Sequence, residues 1–312
     1  MRVRIPLACL LVALLAGCNL TGTAPAAQPQ ASFPTSAETG TPLPPAEPKP
    51  SPHPPELSAE VLQNSGYDSP QYQKRIKLAG GKFQGGSGAD SFIAQLLDPI
   101  AFGDLNGDGI QDAAVLLAES GGGTGNFVSV LALLNRDGKP FQAGARLVDD
   151  RPVIHSLRIA DGRIRLEALI HGPSDPMAAP SLEVVETYRL GEGALLLTGL
   201  ASNNAGGAAR SIQIDSPKDG TEVSGNVRVK GSMPVGPFEN TLSYRVYDLA
   251  GNLLAQGAFM VQAPDMGAPA TFDNSVNLSA LRLPSRVSFQ LWDVSMADGS
   301  PIAIDSVFLS IQ

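Results

Sequence analysis

Between Phe92 and Thr198 the chain is repeatedly cut into short apolar segments by turn signals. Asp137-Gly138 follows FVSVLALLN, and Asp161-Gly162 separates VIHSLRIA from RIRLEALI. Asp-Gly pairs favour the tight turns of β-hairpins, and the flanking runs have the length and composition of strands. LEVVETYRL and ALLLTG bracket Gly191-Glu192-Gly193 in the same manner. Strand-like segments resume after Arg210 as SIQIDSP, GNVRVKGS, ENTLSYRVYDLAGNLLAQGAFMV, ATFDNSVNL, RVSFQLWDVS and IAIDSVFLSI. Short strands at this spacing predict a sandwich. The fold class is therefore mainly β, in two parts. Residues 56–198 form a β-rich (α+β) domain and residues 211–312 a β-sandwich. The small, polar, glycine-rich stretch GLASNNAGGAARS, over 199–210, reads as the linker between them. PPELSAEVLQNSGY supplies one short N-terminal helix, capped by Ser58, with Leu57, Val61 and Leu62 on one face. RIKLAGGKFQ, just after it, is expected to be a hairpin.

The N-terminus is built for export. Arg2 and Arg4 precede an apolar run from Leu7 to Ala16, which is too short for a membrane-spanning helix of about 20 residues and has the layout of a signal peptide. Leu15-Ala16-Gly17-Cys18 resembles the lipobox of bacterial lipoproteins. The resemblance implies cleavage after residue 17 and lipid attachment to Cys18. The protein is then extracytoplasmic and anchored by acyl chains to the cell membrane or outer membrane. Cleavage discards Cys9, the only other cysteine, so the mature chain forms no internal disulfide. Eleven prolines fall within residues 19–55. That composition lacks the apolar surface needed to offset ordering entropy, and it predicts a tether of roughly 115 Å if fully extended at ~3.1 Å per residue.

The formal charge is −8, and removal of Arg2 and Arg4 makes the mature chain more acidic still. An acidic balance excludes nucleic acid as a natural partner and is compatible with divalent cations. Residues 104–112, DLNGDGIQD, concentrate that acidity. Counting Asp104 as the first position, Asn106 is third, Asp108 fifth, Ile110 seventh and Asp112 ninth. Alternate residues of a tight loop can turn oxygens toward one ion, the seventh position lends a backbone carbonyl, and Gly109 permits the sharp bend. The expectation is structural calcium held by Asp104, Asn106, Asp108, Ile110 and Asp112. Position twelve is Val115, not the bidentate glutamate of an EF-hand, and the flanks read as strands. AFGDLNGDGIQDAAV resembles instead the calcium loop of FG-GAP repeats. One copy is present, so the resemblance carries the loop and not a propeller.

IQIDSPKDGTEVSGNVRVKG, FENTLSYRVYDLAGNLLAQG and SFQLWDVSMADGS resemble the immunoglobulin-like domain of bacterial spore-germination and related envelope proteins. Ser216-Pro217, Phe238-Glu239, Asp248, Gly251 and Asp298-Gly299-Ser300 fall in the same order. The resemblance implies a compact accessory domain without a catalytic centre. Trp292 is expected to anchor its core, although no disulfide accompanies it.

Catalytic signatures are absent from the sequence: there is no HExxH, GxSxG or SxxK. His155 lies in a strand pattern, and His171 precedes GPSDP, where it could meet Asp175 or simply belong to a turn. The chain is expected not to be an enzyme. Its expected function is binding or scaffolding at the outer face of a membrane, toward an envelope protein or a wall polysaccharide. The alternative is a cell-wall-active hydrolase or its accessory subunit.

Overall fold

The computed structural model describes residues 54–203, 207–281 and 285–312. The expected signal peptide, Cys18, nearly all of the expected tether and part of the expected linker lie outside the described residues. Pro55, at the end of the expected tether, is held by its carbonyl, which accepts the Asn135 Nδ2 proton at 2.8 Å. Among the described residues, no helix is long and apolar enough to cross a membrane.

The single α-helix among the described residues is α1 (Ala59–Gln63). Ser58 Oγ accepts the Val61 N–H at 3.3 Å, and Leu57 and Leu62 are buried. Strands β1 (Gly66–Asp68) and β2 (Arg75–Lys77) pair with each other. β3 (Lys82–Gly85) pairs with β4 (Phe92–Gly103), so the hairpin expected in RIKLAGGKFQ is not formed: only an Ala79–Lys82 bridge links its arms. Ile76 and Leu78 bury beside Tyr67 and Leu62, while β3 carries Phe83 onto Phe92 at 5.6 Å. The Gly80-Gly81 turn passes the chain from one sheet to the next.

β3 and β4 continue into β5 (Asp112–Ser120), β6 (Phe127–Arg136) and β7 (Lys139–Asp150), a five-stranded sheet with neighbouring strands antiparallel. β5 is buried along its whole length except Ser120. Ala113, Val115 and Leu117 face the core beneath α1, and Ala114, Leu116 and Ala118 face the opposite core. This two-sided burial explains why DAAVLLAE is apolar without alternation.

The other strands of the first half are β8 (Val153–Ala160), β9 (Arg163–Ile170), β10 (Leu182–Leu190) and β11 (Leu195–Asn203). Those of the second half are β12 (Gln213–Ser216), β13 (Thr221–Val223), β14 (Asn226–Met233), β15 (Thr241–Asp248), β16 (Leu253–Met260), β17 (Ala270–Asn277), β18 (Ser285–Val294) and β19 (Pro301–Ile311). β12, β14 and β17 form a small sheet that closes the second sandwich. The remaining strands join one nine-stranded sheet in the order β16-β15-β18-β19-β11-β10-β9-β8, with β13 paired to β19. Both Asp-Gly turns are as expected: Asp137 and Gly138 have φ of 54° and 78°, Asp161 and Gly162 of 50° and 67°, the signature of a type I′ turn.

Two expectations are corrected by this sheet. Residues 199–203, read as the start of the linker, are the end of β11, and Leu200 pairs with Ile304 of β19. Their small and polar residues are tolerated because β11 lies inside the sheet, between β10 and β19. Trp292 does not anchor the core of the second sandwich. Val287, Phe289 and Leu291 of β18 do so, and the period of two along a strand puts Trp292 on the other face. There it joins Leu197, Leu200 and Leu116 in the core of the first half.

Candidate functional site

The acidic loop joins β4 to β5, and hydrogen bonds to its own backbone close it. Asp104 Oδ1 accepts the N–H of Asn106 at 3.1 Å and of Gly107 at 2.6 Å, and its Oδ2 accepts the N–H of Gly109 at 2.9 Å. Burial pulls its pKa upward, but these backbone donors outweigh that and hold the carboxyl below its ordinary value. Asp108 Oδ1 accepts the Ile110 N–H at 2.8 Å, and Oδ2 accepts from Asn106 Nδ2 at 2.9 Å. Gly107 and Gly109 adopt φ of 82° and 78°, which the turn requires and which few other residues tolerate.

Asp112 behaves differently. It is fully buried. Its Oδ2 accepts the Leu105 N–H at 2.9 Å and its Oδ1 the Asn135 N–H at 2.8 Å. Burial raises its pKa, the two N–H donors work against that, and the charges of Asp108 and Asp104 add to the rise. The five expected ligands are therefore divided. Asp104, Asn106 and Asp108 share an exposed turn with Ile110 at its end, while Asp112 is a clasp from the loop to the end of β6. Among the described residues, no group of three or more His, Cys, Asp or Glu side chains is placed to hold a metal. The acidic side chains that fit an ion at this turn are two, Asp104 and Asp108.

The loop forms one wall of a cleft of about 720 Å³ at the junction of the two halves. The β8–β9 turn at Asp161-Gly162, the β10–β11 turn at Gly191-Glu192 and Leu249 form the rest, with Arg189, Arg286 and Phe308 at one side. The two halves touch closely here. A Cβ on Gly191 would lie 2.0 Å from the Leu249 carbonyl oxygen, and the Glu192 N–H donates to that oxygen at 2.7 Å. Asp219 ties the wall together. Its Oδ2 accepts from Arg163 at 2.7 Å and Arg189 at 2.8 Å, both from the first half, and its Oδ1 accepts the Phe308 N–H at 2.8 Å. Arg189 also lies over the Phe308 ring at 3.7 Å. Burial lowers its pKa, and the Asp219 charge counters most directly.

A second cluster lies on the far end of β10. His171 Nδ1 and its backbone N both meet Asp149 Oδ2, at 2.8 and 2.6 Å, and its Nε2 is buried with no partner among the described residues. Asp175, the partner considered for His171, instead closes its own loop through Gly172 N, Ser181 N and Ser181 Oγ. His155 is exposed on β8. Glu186 is buried, accepts from the Tyr188 hydroxyl, and lines a cavity of about 280 Å³ with His171, Asp298 and Ser300. Burial pushes its carboxyl up to about 7, against the Tyr188 hydrogen bond and the Arg146 charge. No motif in the sequence singles out Glu186. Its signal is phase: in LEVVETYRL, Val184, Glu186 and Tyr188 alternate onto one buried face.

No curated protein and no solved structure matches the chain. Residues 211–300, less than a third of the chain, match the family described as the immunoglobulin-like domain of bacterial spore germination. The second half therefore carries an immunoglobulin-like domain of the spore-germination type.

Proposed function

We propose that this chain is a lipid-anchored binding or scaffolding module at the outer face of a bacterial membrane. The observation that carries the reading is the spore-germination-type immunoglobulin-like domain, residues 211–300; β19, the strand that follows the matched residues, pairs with β11 of the first half. Leu15-Ala16-Gly17-Cys18 and the proline-rich segment after it support anchoring and reach. The domain match also favours a second reading, an accessory subunit of a spore-germination-like wall hydrolase. Calcium belongs to the proposal in a narrower form than the spacing implies. Asp104, Asn106, Asp108 and the Ile110 carbonyl would hold it weakly, with water completing the six to eight oxygens it requires. Its part is to stiffen the turn.

Anchoring is tested by Cys18→Ser in a bacterial host supplied with labelled fatty acid. The wild type should carry label and sediment with membranes, and the variant should lose both. A variant that still incorporates label and stays with the membrane contradicts the reading.

A further inference from the structure

A cleft of about 560 Å³ opens on the other side of the junction, beyond the turn that Gly191 packs against Leu249. Its floor is Gln290 and Trp292 of β18 with Leu197 of β11, and its walls carry Arg146 of β7 and Arg245 and Tyr247 of β15. Among the described residues, no carboxylate lines it. In a chain of net charge −8, two arginines facing one cleft with no acid in its lining make it a local positive site that favours an anion.

The arginines are free to take one. Most of the arginines that form ion pairs in this fold meet an aspartate, as Arg163 and Arg189 meet Asp219, Arg210 meets Asp293 and Arg228 meets Asp273. The guanidinium groups of Arg146 and Arg245 make no hydrogen bond or ion pair among the described residues. Arg245 is half-buried and stacks on the Trp292 ring, 4.0 Å from its centroid. Stacking fixes the guanidinium plane and leaves its N–H edge unused, the geometry in which arginine receives an oxyanion through two parallel hydrogen bonds. The support beneath is rigid. Trp292 Nε1 donates to Gln290 Oε1 at 2.9 Å, and Gln290 Nε2 donates to the Leu197 carbonyl at 3.0 Å and Ser288 Oγ at 3.1 Å. Glu186 acts on Arg146 through charge alone, from the separate cavity it lines.

We propose that this cleft binds a small anionic ligand, or the anionic end of a longer one, by a carboxylate or phosphate group held between Arg245 and Arg146. The volume is in the range of sites that enclose molecules of drug size. The site is complete only when both halves are present: Arg146 and Leu197 come from one, Arg245, Gln290 and Trp292 from the other. It stands independently of lipid anchoring and of calcium.

Trp292 is the only tryptophan in the chain, so its fluorescence reports on this cleft alone. The mature protein is titrated with inorganic phosphate and with sodium glucuronate, and with glucose and sodium chloride at matched ionic strength as controls. Calorimetry runs in parallel. The proposal expects a saturable change in emission and binding heat with phosphate, glucuronate or both, and none with the controls; which of the two binds more tightly identifies the group. Arg245→Gln should weaken binding by about tenfold or more, Arg245→Lys should recover only part because it lacks the fork, and Arg146→Gln should weaken it severalfold. Arg158→Gln, at an exposed pair with Glu167 on β8, should bind as the wild type does. Circular dichroism checks that each variant is folded. Absence of a saturable response to both anions, or a folded Arg245→Gln that binds like the wild type, overturns the proposal.

Discussion

Asp112 accepts backbone N–H groups on both carboxylate oxygens, one from Leu105 in the loop and one from Asn135 at the end of β6, and no other aspartate of the acidic loop is buried. Asp112→Ala leaves the N–H groups of Leu105 and Asn135 without an acceptor, which costs about 2–3 kcal/mol. That loss should appear in urea midpoints with calcium and with chelator alike. Asp108→Ala is expected to be nearly neutral in chelator and to remove whatever stabilisation calcium gives the wild type, about 1.4 kcal/mol at ten times the dissociation constant. If wild-type melting curves with calcium and with chelator superimpose, the loop holds no ion. Glu186 gives a separate pH signature. Its folded pKa of about 7 lies above the ordinary value of 4.5, so the fold holds this proton more tightly than the unfolded chain does. Its contribution is complete below the ordinary value and is lost as pH rises through about 7. Glu186→Gln keeps the shape without the charge. Its stability relative to wild type should rise between pH 5 and pH 8, by up to about 3 kcal/mol. Parallel stability profiles for the two proteins would refute the assignment.

At the scale of elements, local signals and distant ones part company. The helix cap at Ser58, the Asp-Gly turns and the position of the acidic loop are all legible, because each depends on residues within a few places of one another. RVSFQLWDVS alternates as a strand with one wet face should. Yet Ser288 and Gln290 are buried, at 0% and 2% exposure, because β11, some ninety residues earlier, covers that face. Alternation states which side chains share a face; it does not state whether water or another strand meets them. The same limit hid the role of Asp112. Spacing places it among calcium ligands, but its partner Asn135 stands at the far end of the next strand, β6. It also hides Arg146 and Arg245, which stand on strands of two different sheets and meet only at the walls of one cleft. Gln290 offers the test at this scale. Gln290→Ala strands the Trp292 indole N–H and the Leu197 carbonyl, and should cost about 1–3 kcal/mol in urea denaturation. A change within about 0.5 kcal/mol, the range of an ordinary surface substitution, would mean that the face of β18 is not covered as described.

At the scale of the whole molecule, the central claim is that the two halves are one unit and that its binding surfaces belong to the junction. The second half has a core of its own around Phe289 and Val229. Even so, Trp292 and Ile304 are buried in the first half's core, Ser202 Oγ donates to the Ile302 carbonyl at 2.7 Å, and Arg210 reaches the buried Asp293 at 2.6 Å. Asp219 holds two arginines from across the boundary. Contacts of this kind, spread along β11, β18 and β19, couple the unfolding of one half to that of the other. Urea denaturation of the mature chain, followed at once by Trp292 emission and by far-ultraviolet circular dichroism, measures that coupling directly. The two probes should trace a single coincident transition, as two-state unfolding requires. Loss of the Trp292 signal while a large part of the β signal persists to higher urea would show two independent domains and contradict the claim.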